Sequence, residues 1–200
     1  MIALSKVSPL AGSLAVLMLV SSAPALSHKL REGGEAVKVA DSMMTVVPGR
    51  DWNRLDGKIG KNTERWTLDG PQLNDVIFYG GIEPGKPLLK ERSKKRDPLP
   101  KFTKSTLLIE VPELLEGTYR TYHELATFDV LSATPATFLG RDGIGFTYRY
   151  TDKDNLTRNG EARATIVDGA LYMVTFDAPR LHYSDRALPH FRTIADSAAM

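Results

Sequence analysis

Cysteine is missing from all 200 residues. Its absence excludes disulfide staples, thiol catalysis and a lipidated cysteine behind a leader, so packing alone must hold the fold. Histidine is sparse, and the spacing of His28, His123, His182 and His190 matches neither HExxH nor another paired-ligand pattern. The net charge of +2 is too small to argue for a nucleic-acid partner. A membrane-spanning helix needs roughly 20 apolar residues. The apolar run Leu10–Val20 offers only about 11 positions. No serine lies in a G-x-S-x-G elbow, and Ser93 to Arg96 fails the S-x-x-K pattern. These absences leave no catalytic set, no metal site and no cofactor motif to assign.

What is present begins with a leader. Lys6, the run Leu10–Val20 and the small-residue exit Ser21-Ser22-Ala23-Pro24-Ala25 have the form of a secretory signal over residues 1–25, with cleavage expected after Ala25. An exported protein, periplasmic in a Gram-negative bacterium, follows from that pattern, with no transmembrane span in the mature chain. Residues 26–33, LSHKLREG, read as a loose polar tail, and residues 34–200 as one α+β domain, 42% of the whole chain being hydrophobic.

The domain is organised around residues 161–198, a β-hairpin feeding a helix. Ala162, Ala164 and Ile166 share a strand face, Asp168-Gly169 is a hairpin turn signal, and Leu171 and Met173 continue the alternation. The opposite face, Tyr172, Val174 and Phe176, is apolar too, which places Leu171–Phe176 centrally in a sheet covered on both sides. Ala187, Phe191, Ile194, Ala195 and Ala198 recur at helical spacing, and the helix is expected from about Pro189 onward because proline belongs in a first turn.

Earlier segments supply the rest of the sheet. Strands are expected at 36–40, 43–47, 65–68 and 75–79, with Trp52 and Trp66 as core plugs whose N–H groups find acceptors. Residues 113–126 read as a helix with Leu115, Tyr119, Tyr122 and Ala126 on one face and a Glu116–Arg120 pair on the other. Two short strands, 128–130 and 137–139, precede the clean alternation of Ile144, Phe146, Tyr148 and Tyr150, and Asn159-Gly160 suggests a bulge or bend. Six to eight strands follow, mainly antiparallel, covered by two helices.

Three stretches bear on chemistry. Residues 140–145, GRDGIG, imitate a phosphate loop but precede a strand instead of opening a helix, so they read as a tight turn. His182, Tyr183 and Asp185, with His190 nearby, could form the site of a small hydrolase or ligand-modifying enzyme around residues 181–190, or they are solvated groups beside a loop. Residues 86–104 set eight basic side chains against Glu91 and Asp97, a local charge of +6 that leaves −4 for the rest. With Pro87, Pro98 and Pro100 this reads as an exposed loop: a solvated insertion, or a contact for an anionic envelope component or an acidic protein partner through Lys90, Arg92, Lys94, Lys95 and Arg96.

The segments ERWTLDGPQLNDVIFYGGI, PATFLGRDGIGFTY and GALYMVTFDAPRLHYSDRALPHFRTIADSA resemble a group of uncharacterised secreted or envelope proteins of proteobacteria, over about residues 34–198. More remotely, the order of elements and the ending Ile194-Ala195-Asp196-Ser197 are similar to the PsbP/Mog1-like fold. That resemblance implies an α/β/α sandwich and a non-enzymatic binding or assembly role. It carries over no site residue and does not account for the basic loop. The favoured expectation is an exported binding or envelope-accessory protein of unknown ligand.

Overall fold

A computed structural model describes residues 29–92 and 97–200. The leader and its cleavage site lie outside the described residues, as do Lys94, Lys95 and Arg96. The elements, in chain order, are β1 (Lys29–Arg31), β2 (Val37–Lys38), β3 (Thr45–Val46), β4 (Trp52–Arg54), β5 (Thr63–Thr67), β6 (Asp75–Ile82), α1 (Val111–His123), β7 (Thr127–Phe138), β8 (Arg141–Thr151), β9 (Thr157–Val167), β10 (Ala170–Pro179) and α2 (Tyr183–Asp196). Eight strands form one antiparallel sheet ordered β1-β4-β5-β6-β10-β9-β8-β7, and β2 pairs with β3 separately.

Strand β10 sits between β6 and β9, and its two faces enter different cores. Leu171 and Met173 pack with Tyr79, Phe146, Tyr148 and the α1 residues Leu115 and Tyr119. Val174, Phe176 and Ala178 pack with Trp66, Phe78 and the α2 residues Phe191 and Ile194. One helix therefore covers each face, and the doubly apolar strand is central as its sequence requires. The turns agree: Asp168 and Gly169 both take positive φ, 50° and 78°, as a type I′ hairpin demands. Leu139 and Gly140 do the same between β7 and β8, so GRDGIG opens on a turn.

Several expectations are corrected. Lys29–Arg31 are not loose but pair with β4, because Arg31 donates to the buried Glu64 carboxylate at 2.9 Å. Glu64 also accepts from Trp66 Nε1 at 2.8 Å and the Ala40 N–H at 3.2 Å, and pairs with Arg54. Trp66 is thus satisfied, whereas Trp52 Nε1 finds no partner among the described residues, although both rings are fully buried.

Helix α1 stops at His123 because Glu124 turns left-handed, so Ala126 leaves the helix and donates to Thr151 O at 3.0 Å. Helix α2 starts at Tyr183, six residues before Pro189. Pro189 and Asp185, the residue whose carbonyl its missing N–H would have bonded, are both exposed. Strand β7 is one continuous edge strand: a bulge near Leu131 and Pro135 interrupt its pattern without ending it, and both are tolerated where no further strand pairs. Asn159-Gly160 lies inside regular β9, with Gly160 directly opposite Tyr148.

Candidate functional site

At one end of the sheet, on the α1 face, the start of β6 and the C-terminal part of β10 are acidic. Asp75 and Asp177 stand directly opposite each other, and each is held by an arginine from the next strand outward. Arg65 on β5 chelates Asp75 through Nε, at 3.1 and 3.2 Å, and through Nη2. Arg158 on β9 gives Nε to Asp177 Oδ1 at 2.5 Å and Nη1 to Gln72 O at 2.7 Å. Tyr150 on β8 donates its hydroxyl to the same Asp177 oxygen at 2.7 Å. Four consecutive strands thus carry Arg, Asp, Asp, Arg under the end of α1.

The electrostatics follow from burial. Desolvation lifts Asp75 to about 6, opposed by Arg65 and aided by the facing Asp177. Desolvation would weaken the charge on Arg158, but Asp177 overrides it and the guanidinium stays firmly protonated. Burial lowers His123, at the last turn of α1, to about 4, so its imidazole is neutral at pH 7. These groups line a cavity of about 380 Å³ with Tyr122 and Asp152. The cavity can offer a polar ligand a carboxyl group that exchanges its proton near neutrality and an uncharged imidazole. Sequence reasoning missed it, although an aspartate in each of two otherwise apolar strands, NDVIF and TFDAP, was the available signal.

The basic loop lies beside this cavity and is built into the fold. Leu88, Leu89, Leu99 and Phe102 are all buried in the α1-side core. The two arms pair: Gly85 N donates to Phe102 O at 2.7 Å and Phe102 N to Lys86 O at 3.0 Å, next to a bridge between Pro87 and Lys101. Lys90 N donates to Ile59 O at 2.7 Å. The predicted contact residues separate here. Arg92 folds inward, its guanidinium 4.0 Å from the Tyr122 ring centroid, and lines the 380 Å³ cavity. Lys90 faces the other flank and lines a concavity of about 600 Å³ with Lys58, Lys61, Lys86, Lys101 and Glu91. Lys58 and Lys61 were not singled out from the sequence, since nothing local brings residues 58–61 beside the loop.

The residues proposed near 181–190 do not converge. His182 and Asp185 are exposed, and the His182 ring meets Tyr183 edge-on at 5.2 Å. His190 Nε2 lies 3.5 Å from Arg50 Nη1, eight residues along the chain from His182. Neither cavity is lined by these residues. Among the described residues no group of three or more His, Asp or Glu side chains is placed to hold a metal ion, and no helix is long and apolar enough to cross a membrane.

No family model matches the chain, and no curated relative matches it. Among solved structures, the chain is similar to cyanobacterial PsbP from Synechocystis sp., at 14% identity and a TM-score of 0.55, over 94% of this chain and 98% of that one. The likeness is one of fold: an α+β, PsbP-like arrangement of a large antiparallel sheet with two helices. More distant matches are the Ran-binding protein Mog1p of Saccharomyces cerevisiae, at 10% identity and a TM-score of 0.43 over 87% and 95% of the two chains. LpqN of Mycobacterium tuberculosis, a protein involved in cell envelope biogenesis, matches at 10% identity and 0.34 over 90% and 86%.

Proposed function

We propose that this chain is an exported binding or envelope-accessory protein that contacts an anionic surface of the cell envelope through the loop 86–104. The observation that carries the reading is the construction of that loop. Its leucines and phenylalanine are driven into the core and its arms are hydrogen-bonded to each other, while Lys86, Lys90 and Lys101 remain exposed. A solvated insertion kept for solubility alone has no need of four buried anchors. Fixing the cations on a frame lowers the ordering cost of binding, since fewer rotamers and no backbone must be immobilised. The leader pattern supports export.

The test is flotation of the mature protein with vesicles of phosphatidylglycerol and phosphatidylcholine at low ionic strength, where surface electrostatics are least screened. The protein floats with the anionic vesicles and not with pure phosphatidylcholine. The triple variant Lys94→Glu, Lys95→Glu, Arg96→Glu loses at least about tenfold in affinity, in line with about 1 kcal/mol for each basic residue near an anionic surface. Equal flotation of the triple variant removes the loop from the proposal.

A further inference from the structure

We propose that Lys58, Lys61, Lys86, Lys90 and Lys101 form a receptor for a discrete phosphate-bearing group with more than one negative charge. The inference deepens the surface contact proposed above and rests on that reading for its setting, but it names other side chains and a single headgroup instead of diffuse attraction.

The five lysines come from three separated segments, residues 58–61, 86–90 and 101, and line one concavity of about 600 Å³. Their backbones are fixed relative to each other. The Lys90 N–H is bonded to Ile59 O, the pairing of Phe102 with Gly85 and Lys86 sets Lys101 beside Pro87, and Leu88 and Leu89 are buried between them. The close fit at Gly60 tightens this junction, since a Cβ there would stand 2.7 Å from Leu88 O. These bonds hold the three lysine-bearing segments side by side around the concavity.

Local acids neutralise this charge only in part. Lys58 pairs with Asp41 and Lys61 with Glu83, the latter at 3.5 Å with side chains 72% and 60% exposed. Glu91 is the acidic residue lining the concavity itself. Exposed pairs of that kind contribute little, so a multivalent anion displaces Glu83 at small cost. The donor type narrows the ligand. A planar carboxylate is best read by the bidentate fork of arginine, and none of the lining residues is arginine. Ammonium groups are compact point charges with three donors each, suited to tetrahedral oxyanions approached from several directions. A single monoanionic phosphodiester leaves most of the five unanswered, whereas a diphosphate or a phosphomonoester answers several at once.

Two probes distinguish a soluble ligand from a lipid headgroup: inorganic pyrophosphate measured by calorimetry, and vesicles of phosphatidic acid in phosphatidylcholine measured by flotation. Lys61→Gln with Lys101→Gln reduces binding of whichever probe is held by roughly tenfold or more, equivalent to about 1.4 kcal/mol. Lys38→Gln, an exposed lysine on β2, leaves it unchanged. Raising the salt from about 50 to about 500 mM weakens the interaction. Saturable, Lys61- and Lys101-dependent binding of pyrophosphate supports a soluble phosphate ligand. The same dependence on phosphatidic acid vesicles alone supports a headgroup. Binding of neither probe, or binding indifferent to Lys61 and Lys101, overturns the receptor. Phosphatidylglycerol flotation that persists in the Lys61→Gln, Lys101→Gln variant while both probes fail leaves the surface contact standing and removes the receptor alone.

Discussion

Asp75 and His123 line one cavity and titrate against each other in their effect on stability. The Asp75 carboxyl is lifted from 3.8 to about 6 by burial, so between those values the native protein keeps a proton that the unfolded chain has released. Stability from this group therefore declines as pH rises through that window and is level above it. His123 is lowered from 6.5 to about 4 by burial, so between those values the unfolded chain is protonated and the native imidazole is not. Stability from this group declines as pH falls through its window. Each contribution is about 3 kcal/mol at most, and over the shared range, from about pH 4 to 6, they oppose each other. Arg65, Arg158 and Asp177 face both groups, and Arg92 faces His123. Urea unfolding at about pH 6.5 and about pH 4.5 separates the two. Asp75→Asn, which also lowers stability at both values by leaving Arg65 without its carboxylate, loses more on acidification than the unsubstituted protein does. His123→Gln gains relative to it. Parallel pH slopes in the two variants would refute this account.

At the level of elements, glycine and proline carry as much of the architecture as the apolar pattern does. Tyr148 on β8 crosses over β9 to donate its hydroxyl to Phe176 O on β10, at 3.1 Å. Gly160, the β9 residue in its path, is what makes this crossing possible, because a Cβ there would stand 2.2 Å from the Tyr148 ring. Gly160→Ala therefore costs about 1–3 kcal/mol or more through forced displacement of the ring. In a Tyr148→Ala background the same substitution costs little, and a double-mutant cycle by thermal or chemical unfolding reads the difference. Equal costs in both backgrounds would place the constraint elsewhere. The sequence offered Asn159-Gly160 as a bulge or bend because the cue that matters is an aromatic side chain eleven or twelve residues away, on a neighbouring strand. Pro189 misled for a related reason, and Pro135 shows the same rule in a strand. Proline excludes interior strand and helix positions only where its missing N–H would have had a partner, and whether one existed was decided by edge position and exposure.

The eight-stranded sheet is two halves, sequential in the chain, joined at one seam. Strands β1 and β4–β6, from residues 29–82, meet the meander β7–β10, from residues 127–179, along β6 and β10. The meander was largely legible, since its hairpins are local and two of their three turns carry a glycine, Gly140 and the Asp168-Gly169 pair. The doubly apolar Leu171–Phe176 also announced its central place. The seam's register was not, because pairing Asp177 with Asp75 is a contact between residues about a hundred positions apart, and the acidic pair lining the cavity came into being only with it. The lysine concavity was hidden for the same reason, its segments being joined by tertiary hydrogen bonds. If the seam is the structural centre, amides of 76–78 and 173–176 exchange slowest with deuterium, as β6 and β10 are paired on both sides and buried under both helices. The β2–β3 pair should exchange by a separate, cheaper opening, because the chain's end holds it. Thr45 exchanges two backbone bonds with Ala199, at 2.8 and 2.9 Å, and the Val47 N–H is bonded to Ser197 Oγ at 2.9 Å. Removing residues 197–200 then speeds exchange at Thr45 and Val47 by at least about tenfold and leaves 76–78 as slow as before. If the truncation instead accelerates the seam by the same factor, the β2–β3 pair and the central sheet open as one unit, and the seam is not an independent core.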